Sequence, residues 1–116
     1  MLDFIRAQDR HTELTTSVCS GSWILARAGV LEGRRATSNK LSFADALAQP
    51  AKVDWVKHAR WVEDGKYITS SGVSAGTDMA LGVVARLHGA DMARRLAHNV
   101  EYVWIEDPNN DPFAVA

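Results

Sequence analysis

Residues 14–29, which read LTTSVCSGSWILARAG, constrain the fold of this chain more than any other stretch. A β-prone run ends at the only cysteine, Cys19, and a small residue, Gly21 and a short apolar helix follow. A sharp turn from strand to helix pushes its apical side chain out of the sheet, and small neighbours leave room for the close backbone approach. The stretch therefore predicts a nucleophile elbow with Cys19 at its tip.

The predicted elbow also suggests a chemistry. Its apical residue faces the N-terminus of a helix, where unpaired N–H groups and the helix dipole favour a negative charge. A thiol there is expected to be more thiolate, the nucleophilic form. The N–H group of Ser20 would bind a developing oxyanion. The alternative is that Cys19 is a small buried hydrophobic residue, and Ser17 stands where such elbows often have glycine or alanine.

Composition and charge set limits on partners. The 116 residues predict one domain, and 47% hydrophobic with 23% charged residues is ordinary for a globular protein. A formal net charge of −1 gives no electrostatic argument for binding nucleic acid or an anionic membrane surface. We therefore expect a small-molecule substrate, with neither nucleic acid nor membrane as partner.

Cysteine and histidine usage sets limits on cofactors and location. A single cysteine excludes an internal disulfide and a cysteine-based zinc site, and the four histidines lack metal-motif spacing. We expect no metal and no cofactor. No apolar run approaches the ~20 residues of a membrane helix, and the N-terminus is too charged for a secretory signal. A cytoplasmic location is the expectation.

Strands are expected to alternate with helices along the chain. Apolar periodicity, β-branched residues and glycine or proline breaks predict helices over 2–11, 20–29, 41–48, 74–88 and 91–100, and strands over 14–18, 35–37, 53–56, 59–62 and 67–70. The tail, residues 104–116, is expected to be irregular. This order predicts an α/β layered fold with a mainly parallel sheet.

Local signals refine the predicted turns. Asp64 and Gly65 predict a type I′ hairpin. Ser74 is expected to cap one helix and Asp91 the next. Because ligands bind beyond the carboxyl ends of parallel strands, the turns at Cys19 and at Gly72–Ser74 are expected to share one crevice. Gly72 and Ser74 are therefore candidate substrate-binding residues.

Two longer segments carry a family resemblance. SVCSGSWILARAGVLEGRRATSNK and WVEDGKYITSSGVSAGTDMALGVVARLHG resemble the ThiJ/PfpI superfamily, which is related to class I glutamine amidotransferases, and most of all its isonitrile-hydratase-like branch. The likeness covers roughly residues 14–113. It implies a flavodoxin-like three-layer sandwich, often a dimer. It also implies a nucleophilic cysteine at Cys19 and an oxyanion N–H at Ser20.

The resemblance implies chemistry on small electrophiles, such as isonitrile hydration, hydrolysis of glyoxal or glycation adducts, or peptidase-like activity. Many relatives place a histidine after the strand that ends in Ala-Thr, but Ser38 and Asn39 stand here. Neither can act as a general base near neutral pH, so no Cys–His dyad forms at this place. Asn39 is a candidate substrate-orienting residue, or alternatively a helix cap.

Relatives begin with a βαβ unit that supplies strands, an acidic partner for the cysteine and a second oxyanion N–H. This chain starts at the helix before the elbow strand, so we expect a partial domain over residues 1–116 without the N-terminal strands. The strand at 14–18 would then present an open edge. Association with a second copy or with a complementing chain is therefore expected.

Three functions follow in order of preference. The first is a cysteine-dependent hydratase or hydrolase of small electrophiles, with Cys19 and Ser20 as its catalytic residues. The second is a catalytically impaired fragment that acts as a redox-sensing or interaction module. The third is the ligand domain of a transcription regulator.

Overall fold

A computed structural model describes residues 1–114, and its elements follow the predicted order. The helices are α1 (Leu2–Asp9), α2 (Gly21–Ala28), α3 (Phe43–Leu47), α4 (Val73–His88) and α5 (Ala90–Asn99). The strands are β1 (Thr15–Ser17), β2 (Arg35–Ala36), β3 (Asp54–Trp55), β4 (Trp61–Asp64) and β5 (Tyr67–Ser70). Strands β1, β2 and β3 are shorter than predicted, because the ladder hydrogen bonds reach only part of each β-prone run. Strand β5 has the predicted bounds, and β4 has the predicted length but lies two residues later.

Strand β5 is the centre of the larger sheet, whose order is β1-β5-β4. It pairs in parallel with β1, where Thr16 lies opposite Ile68, and antiparallel with β4 across the hairpin. All four residues of β5 are buried. Strands β2 and β3 form a separate parallel pair. Most pairings in residues 1–114 are therefore parallel, as expected.

Helices cover both faces of the larger sheet. Tyr67 of β5 belongs to one core cluster with Leu25 of α2, while its neighbour Ile68 packs with Met79 of α4 on the opposite face. Successive residues of a strand point to opposite faces, so these two side chains define the two helix layers. Helix α5 packs on α4 through Ala93 and Ala97. The three layers are those of a flavodoxin-like α/β sandwich.

Three local predictions are wrong. Of the two hairpin loop residues only Gly65 has a positive φ, 60°, whereas a type I′ turn needs positive φ at both. Gly72, not Ser74, is the N-cap of α4. Asp91 lies in the first turn of α5, which Gly89 caps. A negative charge is favourable anywhere in a first turn, so Asp91 suits that position without capping it.

The irregular tail is confirmed as far as the structure describes it, and it lies against the sheet. The carbonyl oxygen of Pro108 accepts hydrogen bonds from Arg60 N (2.6 Å) and Trp61 N (3.3 Å). The last two residues of the predicted tail, Val115 and Ala116, lie outside the described residues. Within residues 1–114, none of the helices has the length and apolar character to cross a bilayer.

Tyr67 joins α1 to the hairpin, and its ionisation is expected to weaken the fold. Its hydroxyl donates to Asp9 Oδ2 at 2.7 Å. Burial, and next the hydrogen bond and charge of Asp9, raise the pKa of Tyr67 to about 12. Because the folded pKa lies above the ordinary 10, this contribution to stability is complete below pH ~10 and is lost as the pH rises through about 12.

The measurement is the free energy of unfolding between pH 9 and 12 for the wild type and Tyr67→Phe. The wild type is expected to lose more stability across this range, since the variant has no phenol to ionise. Parallel curves for the two proteins would contradict the prediction.

Candidate active site at the cysteine elbow

Cys19 has the backbone conformation that a nucleophile elbow requires. Its φ is +58°, in the left-handed region that residues with a Cβ seldom adopt. Such a conformation costs about 1–3 kcal/mol and persists only where the surrounding structure enforces it. The cysteine is partly exposed and lies two residues before the start of α2. The alternative of a fully buried structural cysteine does not fit this position.

Close packing around the elbow explains which neighbours are small. A Cβ on Gly21 would lie 3.4 Å from Ser17 Cβ, which is ordinary contact, so serine at position 17 leaves just enough room. A Cβ on Gly76 would lie 2.8 Å from Val18 Cγ1, a clash that glycine avoids. Helix α4 therefore sits directly against the residue before the cysteine.

Three elements of the fold hold the elbow backbone. Cys19 N donates to the carbonyl oxygen of Ser71 at 2.7 Å. Its own carbonyl oxygen accepts from Ser22 Oγ at 3.2 Å and from Ser38 Oγ at 3.1 Å. Trp23 Nε1 in turn donates to Ser38 Oγ at 2.9 Å. The elbow is thus tied to α2, to the segment after β2 and to the turn between β5 and α4.

Ser20 follows the cysteine as the N-cap of α2 and is exposed. Its side chain makes no capping hydrogen bond. Among the described residues its backbone N–H has no acceptor, whereas Gly21 N donates to Val18 O at 3.0 Å. The N–H group of Ser20 is therefore available to an atom bound beside the thiol.

A cavity of about 550 Å³ adjoins the elbow. It is lined by Asn39, Lys40, Leu41, Arg60, Ser71, Gly72, Val73, Ser74, Ala75 and Phe113. It brings together the three predicted substrate-binding residues, Asn39, Gly72 and Ser74. Neither Cys19 nor Ser20 is among the lining residues, and the link to the thiol runs through Ser71, whose carbonyl oxygen holds Cys19 N.

The start of α4 forms one wall of this cavity. Gly72 is its N-cap and provides no side-chain hydrogen bond. Among the described residues, the N–H groups of Val73, Ser74 and Ala75 have no acceptor, and Gly76 N is the first to bond, to Gly72 O at 3.1 Å. Asn39 lines the same cavity and does not cap a helix, since the N-cap of α3 is Ser42. The capping alternative for Asn39 is therefore wrong.

A buried ionic cluster beside the cavity was not predicted. Arg60 Nη2 lies 2.7 Å from Asp78 Oδ2, and Lys40 Nζ lies 3.1 Å from Asp111 Oδ2, with all four side chains at most 6% exposed. Lys40 Nζ also donates to Ser71 Oγ at 3.2 Å. These residues are far apart in the sequence, and no local spacing signals such pairs.

Burial and ion pairing shift the pKa values of Lys40 and Asp111 in opposite directions. Burial lowers the pKa of Lys40, although the Asp111 carboxylate counteracts it. Burial also acts to raise the pKa of Asp111, but hydrogen bonds from Phe113 N–H, Ser71 and Lys40 outweigh it, so its pKa is lowered. Asp111 is therefore ionised at neutral pH, and its carboxylate holds the Lys40 side chain next to Ser71.

The remaining titratable candidates lie elsewhere. All four histidines, His11, His58, His88 and His98, are exposed. In the part of the chain that the structure describes, no group of three or more His, Cys, Asp or Glu residues is arranged to hold a metal ion. The cysteine elbow and its adjoining cavity are therefore the candidate site.

The sequence of the chain is similar to a known protein family and to several known proteins. The model of the DJ-1/PfpI family matches residues 1–86. The isonitrile hydratase of Pseudomonas putida is 41% identical over 101 residues, which are 87% of this chain and 43% of that protein. The HTH-type transcriptional regulator CdhR of Pseudomonas aeruginosa is 33% identical over 93 residues, 80% of this chain and 27% of the regulator.

A solved structure is similar to this chain in both fold and sequence. The crystal structure of a ThiJ/PfpI family protein from Pseudomonas syringae superposes with a TM-score of 0.69 at 38% identity, covering 87% of this chain and 40% of that one. The chain thus spans less than half the length of each of these three relatives. The likeness confirms the α/β fold and the resemblance seen in the two sequence segments.

Proposed function

The chain belongs to the DJ-1/PfpI family, and we propose that it is a cysteine-dependent hydratase or hydrolase of small electrophiles. The observation that carries the proposal is the elbow itself. Its partly exposed thiol belongs to a residue with a left-handed backbone conformation and stands next to the N–H of Ser20, which has no acceptor among the described residues. The similarity to an isonitrile hydratase supports the same class of reaction.

The proposed reaction has two steps. The lone pair of Cys19 Sγ forms a bond to the electrophilic carbon, and the π pair of that carbon moves to its oxygen or nitrogen, or onto the carbon itself in an isonitrile. A charge on oxygen would be held by the N–H of Ser20; the atom that gained the pair then takes a proton from solvent. In the second step water adds to the same carbon of an isonitrile adduct while the nitrogen takes a proton, the S–C bond breaks with its pair returning to sulfur, and the hydroxyl proton leaves to solvent. In a 2-oxoaldehyde adduct an internal shift comes between the two steps: the hydrogen on C1 moves to C2, and the C2 oxygen takes the proton of the C1 hydroxyl. This turns the hemithioacetal into the thioester of a 2-hydroxy acid, which water then hydrolyses with the sulfur as leaving group.

The cavity would hold the rest of the substrate. Its apolar wall, which includes Leu41, Val73 and Phe113, suits a hydrocarbon substituent. The Asn39 amide and the N–H groups at the start of α4 would orient a polar end. Gly72 contributes here by the absence of a side chain and Ser74 by its backbone N–H.

The test uses intact-mass spectrometry and product analysis of the full chain with an alkyl isonitrile and with methylglyoxal. A covalent adduct mapped to Cys19, with formation of an N-alkyl formamide or of lactate, is the expected result. Unmodified protein and no product with either compound would refute the proposal.

The second candidate is a redox-sensing module, and the exposure of the elbow thiol favours it. An accessible, activated thiol oxidises readily to sulfenic and then sulfinic acid. Mass spectrometry after mild peroxide treatment distinguishes the two functions, since a sensor accumulates oxidised Cys19 without turning over either compound. An unmodified Cys19 would rule out the sensor.

The similarity to CdhR favours a third candidate, the ligand domain of a transcription regulator. In that case the cavity would bind a small molecule without converting it. Calorimetry that shows binding of a compound which is recovered unchanged would support this function over catalysis.

We also propose that the open edge of β1 is a docking site for a second copy or a complementing chain. Among the described residues β1 pairs with β5 alone. Thr15 N donates to Lys66 O at 3.0 Å on that side, so the alternation of a strand directs the N–H of Thr16 to the free edge. An unpaired edge without charge or proline is a template for another strand.

Light scattering of the purified chain is expected to show a mass above that of the 12.7 kDa monomer. Thr16→Pro removes the outward N–H and is expected to shift the population toward monomer, while Thr16→Ala keeps the N–H and the oligomer. A wild type that is monodisperse at the monomer mass would contradict the proposal.

A further inference from the structure

We propose that Ser38 is a positioning residue that aims the oxyanion-binding N–H of Ser20; the inference rests on the proposed function. Ser38 is fully buried and stands after β2. Its hydroxyl reaches the carbonyl oxygen of Cys19 at 3.1 Å, and Ser38 is not among the residues that line the cavity. Its role is therefore indirect, through the backbone of the elbow.

The geometry of the peptide unit links the two groups. The carbonyl of Cys19 and the N–H of Ser20 belong to one planar trans peptide, so they point in opposite directions. Hydroxyls from Ser22 and Ser38, both fully buried, hold the carbonyl toward the protein interior. The N–H is consequently directed away from them, where the described residues offer it no acceptor.

The Trp23 indole fixes the orientation of the Ser38 hydroxyl. Trp23 Nε1 donates to Ser38 Oγ at 2.9 Å, so the oxygen acts as acceptor there and its own proton remains for Cys19 O. Asn39 Oδ1, at 3.2 Å, is the other acceptor within reach. A substrate that engages the Asn39 amide in the cavity would leave the Ser38 proton to the Cys19 carbonyl. Binding and oxyanion alignment are thereby connected through one hydroxyl.

Two reactions of the same thiol separate this role from a structural one. Acylation by p-nitrophenyl acetate passes through an oxyanion, whereas alkylation by iodoacetamide displaces iodide and forms none. Deleting an oxyanion donor typically costs 10²–10³-fold; loosening its orientation is expected to cost less. Ser38→Ala should therefore lower the ratio of the acylation rate to the alkylation rate about tenfold, which is less than the loss for deleting an oxyanion donor outright.

Two further variants complete the experiment. Trp23→Phe keeps an aromatic ring but cannot donate a hydrogen bond to Ser38. A smaller fall in the ratio of acylation to alkylation is therefore expected. If Ser38→Ala does not fold, Trp23→Phe alone tests the proposal. Ser42→Ala removes a hydroxyl that makes no capping hydrogen bond to α3 in the described residues, and its ratio is expected to equal that of the wild type.

The outcomes distinguish the two proposals. A ratio that is unchanged in Ser38→Ala and Trp23→Phe, or rates that fall together, would overturn the positioning role while leaving Cys19 as nucleophile. Wild-type rates that match those of glutathione in both reactions would instead overturn the proposed function.

Discussion

Replacing Cys19 with serine is expected to lower turnover of a reactive isonitrile or dicarbonyl by at least about 10³-fold. A serine hydroxyl ionises far less readily than a thiol, and the neighbouring Ser38 and Asn39 provide no general base to activate it. The measurement is steady-state product formation by the wild type and Cys19→Ser under the same conditions. A variant that keeps a tenth or more of the activity would show that the reaction does not pass through sulfur.

The same position provides a control for folding. Glycine adopts a positive φ without penalty. Cys19→Gly is therefore expected to be inactive and yet at least as stable as the wild type. Its free energy of unfolding is expected to be higher by about 1 kcal/mol, because glycine relieves the backbone strain. An inactive glycine variant with lower stability would mean that the thiol contributes to packing rather than that the elbow stores strain for reactivity.

Asp78→Ala is expected to destabilise the chain by about 3–5 kcal/mol, the usual cost of removing one partner of a buried ion pair. Asp78 is fully buried and accepts from Arg60 Nε and Nη2, both at 2.7 Å, and from Ile105 N at 2.9 Å. Its removal would leave a buried guanidinium whose one remaining carboxylate partner among the described residues is Asp111, 3.5 Å away. Since native domains have about 5–15 kcal/mol of stability, this is a large fraction of the whole.

Denaturant unfolding of three variants tests this cost. Asp91→Ala breaks an exposed pair with Arg94 on α5 and is expected to cost far less than Asp78→Ala, because solvent screens exposed ion pairs. The double variant Arg60→Met/Asp78→Leu replaces the buried pair by apolar groups and is expected to recover much of the loss. Equal costs for Asp78→Ala and Asp91→Ala would show that burial of the pair does not matter.

The sequence predicted those parts of the molecule that depend on neighbouring residues. The elbow follows from Cys19 and Gly21, the end of α2 from Gly29 in its left-handed conformation, and the layer order from alternating strands and helices. Family resemblance added the flavodoxin-like architecture. Each of these signals lies in a few neighbouring residues or in the alternation of strands and helices, and tertiary packing does not change what it predicts.

The features that the sequence did not predict depend on contacts between residues far apart in the chain. Asp78 reads as a charge near the start of a helix, and only the folded chain shows that it pairs with Arg60, the residue before β4. Ser74 has the side chain of a good cap, but the N-cap of α4 lies two residues earlier, at Gly72. Ser38 likewise looks like a polar linker until its hydroxyl is placed on the cysteine carbonyl.

The hydrogen bonds that hold the elbow have a kinetic consequence. Ser38 is 19 residues from Cys19 along the chain, and Ser71 joins the elbow only after the β4–β5 hairpin has formed. Contacts between distant segments form late in folding because closing the loop between them costs chain entropy. A nascent or partly refolded chain would therefore carry an ordinary thiol, and the appearance of fast acylation would mark the final stage of maturation.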